Sequence, residues 1–132
     1  MNLTDLITRV EQGSGSDRQL DADICVELNW ANTKQEPFLV VHYREKGVGV
    51  VAVCYENGGA GNPCDALHLT SSLDAIRALF KARLDGYCAH IYDDGYPHAC
   101  VFARGYQLTT AGTDIHRAFL AAVLKAIAAK EG

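Results

Sequence analysis

Residues 87–104 read YCAHIYDDGYPHACVFAR, and the reading of this stretch decides how the rest of the chain is arranged. Two β-prone runs, Tyr87–Tyr92 and Pro97–Arg104, flank Asp93-Asp94-Gly95. Asp-Gly between such runs is a strong hairpin signal, because the tight turn needs the positive φ that glycine adopts without steric cost. The register is open at this level. With Asp94-Gly95 as a two-residue turn, Ile91 faces His98 and Ala89 faces Cys100, so Cys88 and His90 point away from His98 and Cys100. With Asp93-Asp94-Gly95 as a three-residue loop, His90 pairs with His98 and Cys88 with Cys100, and all four share one face. Only the second register makes Cys88, His90, His98 and Cys100 a zinc-like set of two thiols and two imidazoles. The mirrored spacing C-x-H…H-x-C matches no zinc motif, and buried thiols beside ordinary hairpin histidines are the competing reading.

Working outward, a second two-residue periodicity lies upstream. Phe38, Val40 and His42 alternate with Leu39, Val41 and Tyr43, β-branched residues crowd Val48–Val53, and Glu45-Lys46-Gly47 supplies the turn. This predicts a hairpin of about Phe38–Arg44 and Gly49–Tyr55, followed by a polar, glycine-rich loop from Glu56 to about Leu69. Helical periodicity occupies the rest. Leu3, Leu6, Ile7 and Val10 mark one face of a first helix that Gly13–Gly15 ends. Ser16 and Gln19 have capping-box spacing ahead of Leu20, Ile24 and Leu28. Ser71 or Ser72 caps a third helix with Leu73, Ile76, Phe80 and Leu84 as its stripe, ended by Gly86. A long helix from Thr113 to about Lys130 closes the chain, with Ile115, Phe119, Ala122, Val123 and Ile127 on its face. The order is α-α-β-β-α-β-β-α. Both hairpins carry apolar residues at consecutive positions, which suggests helices on both faces of one sheet. The expected fold class is therefore α+β: a three-layer α-β-α sandwich around a four-stranded, mainly antiparallel sheet.

The chain has 132 residues, 48% of them hydrophobic and 21% charged. That length fits one domain, residues 1–132, and the composition excludes disorder, collagen-like repeats and long coiled coils. Sixteen acidic against twelve basic residues give a net charge of -4. The cations are scattered. Their densest group, Arg77, Lys81 and Arg83, has Asp74 and Asp85 nearby and reads as a solvated helix face, so nucleic-acid binding is disfavoured. The longest apolar run, Ala118–Ala129, is broken by Lys125 and falls short of the ~20 residues a membrane span needs. Cys25, Cys54, Cys64, Cys88 and Cys100 make an odd number without a signal-peptide pattern ahead of them, which points to free thiols in a reducing cytosol.

Three stretches resemble the phage ABA-sandwich domain family, found in small phage and prophage proteins. They are Leu6-Ile7-Thr8-Arg9-Val10-Glu11 followed by Gly15, Arg18-Gln19-Leu20-Asp21 and Ile24; Leu69-Thr70-Ser71-Ser72-Leu73-Asp74-Ala75; and the alanine-rich terminal helix entered through Thr109-Thr110-Ala111. Together they cover about half of the chain, chiefly helices. The hairpin Phe38–Tyr55 and the loop Gly58–Pro63 are where this sequence departs most from the family pattern. The resemblance implies an α-β-α sandwich of phage or prophage origin. The family has no agreed biochemical activity, so no catalytic residues carry over.

No recognised catalytic signature is present. Cys64, Asp65 and His68 lie close in sequence as a nucleophile with a base would, yet no nucleophile-elbow motif surrounds Cys64. Asp114, at the start of the last helix, suits the helix dipole and forms no catalytic pair with His116. The loop Gly58-Gly59-Ala60-Gly61-Asn62-Pro63 has backbone N–H groups to offer a phosphate but lacks the P-loop Gly-Lys-Ser/Thr, and a flexible surface loop is the plainer reading. Trp30, Tyr92 and Tyr96 are the aromatics expected at the surface, as partner anchors or as caps on the core edge.

The leading expectation is a small, non-enzymatic phage or prophage protein. It binds a host protein in the host cytoplasm, with a counter-defence or host-takeover role implied only by origin. The first alternative is a nucleotide-like small-molecule binder using Gly59, Gly61, Tyr92 and Tyr96. The second is a metal-dependent enzyme on the Cys88, His90, His98 and Cys100 set. Zinc is the one cofactor the residues suggest, and no membrane is expected as a partner. The exposed edge of the second hairpin leaves the oligomeric state open.

Overall fold

The computed structural model describes residues 2–31, 38–55 and 62–131. The chain runs α1 (Leu3–Gln12), α2 (Arg18–Leu28), β1 (Phe38–His42), a short 3-10 turn at Arg44–Lys46, β2 (Val50–Tyr55), β3 (Asn62–Asp65), α3 (Leu73–Arg83), β4 (Cys88–Asp93), β5 (Pro97–Ala103), β6 (Tyr106–Ala111) and α4 (Ile115–Glu131). The strands form two separate antiparallel sheets, β1-β2-β3 and β4-β5-β6. The expected single four-stranded sheet is overturned, because each hairpin recruits its own third strand.

Those third strands come from segments read as loop and helix entry. β3 lies inside the supposed polar loop and carries Pro63, which an edge strand tolerates because its outward N–H has no ladder partner to lose. β6 includes Thr109-Thr110-Ala111, read above as the approach to the last helix. A tight turn at Arg104-Gly105 returns the chain, with Gly105 at φ 78°. The loop Gly58–Gly61 lies outside the described residues.

The layering is also the reverse of the expectation. α4 lies along β5 and β6 and touches β4, α1 and α3 pack on α4, and α2 packs against α1 and against β1 and β2. The helices are therefore the inner layer and the two sheets lie outside them, around one continuous core. α4 is buried on every side from Arg117 to Leu124 and again at Ala126 and Ile127. Close approach to its first turn needs a glycine at position 112, where a Cβ would stand 2.6 Å from the Ala118 backbone nitrogen. Apolar residues at consecutive strand positions thus do not mean two covered faces. One set meets the helices, and the other, including Leu39 and Tyr92, faces solvent.

Specific polar ties hold the layers in place. Asp17, not Ser16, caps α2 by accepting from Leu20 N at 3.0 Å. Its own N–H donates to Thr70 Oγ1 at 2.8 Å. Asp21 is fully buried and accepts from Thr70 N at 2.8 Å and from Arg18 Nη1 at 2.6 Å. Burial pushes the Asp21 carboxyl up, against the pull of Thr70 and Arg18. Asn29 ends α2 at φ 53°. Its side chain then accepts from Val40 N at 2.7 Å and donates to the Phe38 carbonyl at 2.9 Å, fastening β1 to the helix. Of the two expected candidates, Ser71 and Ser72, it is Ser72 that caps α3, accepting from Ala75 N at 3.2 Å.

Candidate functional site

The β4–β5 register is a third one. Asp93 pairs with Pro97, Tyr92 with His98, His90 with Cys100 and Cys88 with Phe102. The loop has three residues, as one of the two expected registers required, but they are Asp94-Gly95-Tyr96. Shifting the loop by one position moves each partner by two, so side-chain parity is kept while the pairing changes. Cys88, His90, His98 and Cys100 accordingly share one face, yet His90 does not oppose His98 and Cys88 does not oppose Cys100. No three His, Cys, Asp or Glu side chains among the described residues stand close enough to hold a metal ion.

That shared face is the outer face of the second sheet. Ala99, Val101 and Thr110 are buried on the α4 side, so alternate residues point away from the core. β4 contributes Cys88, His90 and Tyr92; β5 contributes His98, Cys100 and Phe102; β6 contributes Gln107, Thr109 and Ala111. The rings form a continuous run. Tyr96 stacks on His98 with centroids 4.6 Å apart, and His98 on Tyr92 at 4.5 Å. Tyr92 lies parallel to His90 at 6.1 Å, and His90 meets Phe102 at 5.4 Å with a 32° tilt. Cross-strand and diagonal ring pairs of this kind also stabilise the sheet. His98 is further held by its own hairpin, with Nδ1 3.1 Å from the Tyr96 carbonyl and 3.8 Å from Asp94 Oδ1.

The run has two unlike ends. At the hairpin tip Tyr96 is 61% exposed and Tyr92 40%, beside the carboxylates Asp93 and Asp94. At the other end a shallow depression of about 620 Å³ opens between His90, Tyr92, Cys100, Phe102, Gly105 and Gln107. Gln107 stands directly across from Phe102, and its Nε2 makes only a 4.0 Å contact to Cys100 Sγ.

Of the expected ligand-binding residues, Tyr92 and Tyr96 thus belong to one exposed surface, while Gly59 and Gly61 lie outside the described residues. Phe102 and Gln107 were missed by sequence reasoning. The signal was the Arg104-Gly105 turn followed by Tyr106-Gln107-Leu108-Thr109, whose alternation places Gln107 on the same face as Phe102.

Other candidates do not assemble a reactive site. No hydrogen bond joins Cys64 to His68 among the described residues. Burial, and then the charge of Asp65, push the Cys64 thiol up, opposite to what an activated nucleophile needs. A smaller hollow of about 250 Å³ lies under β3, lined by Trp30, Val51, Val53, Cys64, Asp65 and Leu67 among others. The Trp30 Nε1 is buried there without a hydrogen-bond partner, while the Arg83 guanidinium lies 5.8 Å from the indole ring. Arg83 is no solvated cation: it also donates to the Leu28 carbonyl and approaches Glu131 at 3.8 Å. His116 Nδ1 lies 3.6 Å from Asp114 Oδ1, but Asp114 is occupied as a cap, accepting from Arg117 N at 2.9 Å. Among the described residues, no helix is long and apolar enough to cross a membrane. No protein-family model matches the chain, and neither does any curated protein or solved structure.

Proposed function

We propose that this chain is a non-enzymatic accessory protein of phage or prophage origin that acts in the host cytoplasm by binding a host protein. Its contact surface is the hairpin-tip end of the outer face of β4-β5-β6. One observation carries the reading: Tyr96 and Tyr92 stand exposed at the end of a stacked ring run that the core does not use. Tyrosines are enriched among residues that dominate interface energies, since they offer large area at low entropic cost. Stacking against His98 holds them ready, which reduces the ordering lost on association. Five free thiols suit a reducing compartment.

The test is capture from host lysate followed by titration of the recovered partner. Wild-type protein is expected to retain one specific host protein, and Tyr96→Ala to weaken that purified complex by roughly tenfold or more, a hot-spot loss, with unchanged thermal stability. A lysate that yields no specific protein, or a partner held equally by Tyr96→Ala and Tyr92→Ala, overturns the reading.

A further inference from the structure

We infer that the depression at the opposite end of the same face, which shares Tyr92 with the protein-binding end, is a site for a purine mononucleotide. The base lies against Phe102 and His90, Gln107 reads its edge, and Arg104 meets its phosphate. The inference goes beyond the protein-binding reading and uses none of the glycine loop.

Four observations converge on this chemistry. The depression is open to solvent and, at about 620 Å³, has room for a ligand of mononucleotide size, and two neighbouring rings on its wall favour a flat occupant over an aliphatic one. Base–ring stacking is tolerant of sequence because every base has a π-face, so the rings alone select planarity. Identity comes from Gln107. Its amide presents donor and acceptor side by side, directly across the ladder from Phe102, with no competing partner beyond the long sulfur contact. An amide of that kind pairs in two-point fashion with the amino group and ring nitrogen of adenine.

The anion is assigned to Arg104, which stands beside the depression and does not itself line it. It is exposed in the β5–β6 turn between Ala103 and Gly105, both of which line the depression, and makes no ion pair with any described residue. A guanidinium in that position suits one phosphate. One cation beside the depression, on a chain of net charge -4, does not suit a polyanion, which separates a mononucleotide from a nucleic-acid strand.

The experiment is an NMR titration of the isotope-labelled full chain with three probes: adenosine 5′-monophosphate, adenosine, and purine riboside 5′-monophosphate, which lacks the amino group. The expected result is shifts centred on His90, Phe102, Gly105 and Gln107, with the purine protons moved upfield by ring currents. Phe102→Ala should weaken the first probe on the order of tenfold, as loss of one stacking ring does. Arg104→Ala, in an exposed turn and at a side chain with no hydrogen bond or ion pair among the described residues, should erase the preference for the monophosphate over adenosine. Gln107→Leu should erase the preference for the adenine probe over purine riboside 5′-monophosphate. No shift on this face at millimolar probe overturns the inference, as does binding that Phe102→Ala and Arg104→Ala leave unchanged. Tyr96→Ala should leave nucleotide binding intact, so failure here and failure of the protein-binding reading are read separately.

Discussion

Arg117 lies almost wholly inside the protein, yet no carboxylate meets its guanidinium. It donates instead to backbone carbonyls: to Gly15 O from Nε at 3.1 Å and Nη2 at 2.8 Å, to Arg9 O at 3.2 Å, to Val10 O at 3.3 Å and to Ser14 O at 3.4 Å. Val10 O is left unpaired by the end of α1, Arg9 O also accepts from the Gly13 N–H, and Ser14 and Gly15 follow directly beyond the helix, where its dipole favours a cation. Arg117→Met keeps much of the volume but strands those acceptors away from water. We expect a loss of roughly 3 kcal/mol, the scale of charged hydrogen bonds removed from a buried site, measured by urea unfolding. Thiols give a second residue-level outcome. Burial pushes Cys25 up to about 12, so its reactive thiolate is scarce at any pH below that value. Alkylation at pH 8 should therefore modify exposed Cys88 first, then Cys64, whose thiol is also raised. Cys25 should react only after denaturation. Mass-spectrometric mapping in which Cys25 reacts in the native protein would contradict this burial.

At the scale of elements, the start of α2 separates a motif from the interaction it stands for. Ser16 and Gln19 fit the capping-box spacing, but the chain adopts the next frame, with Asp17 bonded to Leu20 N. Thr70, brought in from the segment before α3, holds the Asp17 N–H and Asp21 together, so tertiary contacts choose between two adjacent caps of similar intrinsic strength. Asp17→Ala is expected to cost about 1 kcal/mol, and Ser16→Ala less than ~0.5 kcal/mol, as for an ordinary surface change. Thermal melts of the two variants distinguish the frames. The hairpin β4–β5 makes the same point, since moving its loop from Asp93-Asp94-Gly95 to Asp94-Gly95-Tyr96 kept the four Cys and His side chains on one face while undoing their pairing.

For the whole molecule, the consequence of an inner helical layer is shared dependence. α4 packs against the second sheet and against α1, and α2 links α1 to the first sheet. Neither sheet has a core of its own, because buried residues of both belong to one cluster. Unfolding should therefore be a single transition. Trp30 reports on the first sheet and the end of α2, and the tyrosines Tyr87 and Tyr106 on the second sheet, where their rings meet at 6.0 Å. Urea midpoints followed by tryptophan fluorescence, near-ultraviolet tyrosine dichroism and far-ultraviolet dichroism should coincide. A split midpoint would mean the first sheet melts by itself.

Local pattern was enough for the four helices, the two hairpins and the exposure of Tyr92 and Tyr96, because periodicity, caps and Asp-Gly turns are written within a few residues of one another. It also brought Cys88, His90, His98 and Cys100 into view together, though not their register, which rests on one loop position. β3 and β6 were less legible: four residues with a proline, and a Thr-rich run before a helix, are strands only because β2 and β5 offer them ladders. The layer order was beyond the pattern altogether. A consecutive apolar run reads the same whether its second face meets a helix or water, and only packing against α4 decided that the helices lie inside and the rings of Phe102, His90, Tyr92, His98 and Tyr96 lie out.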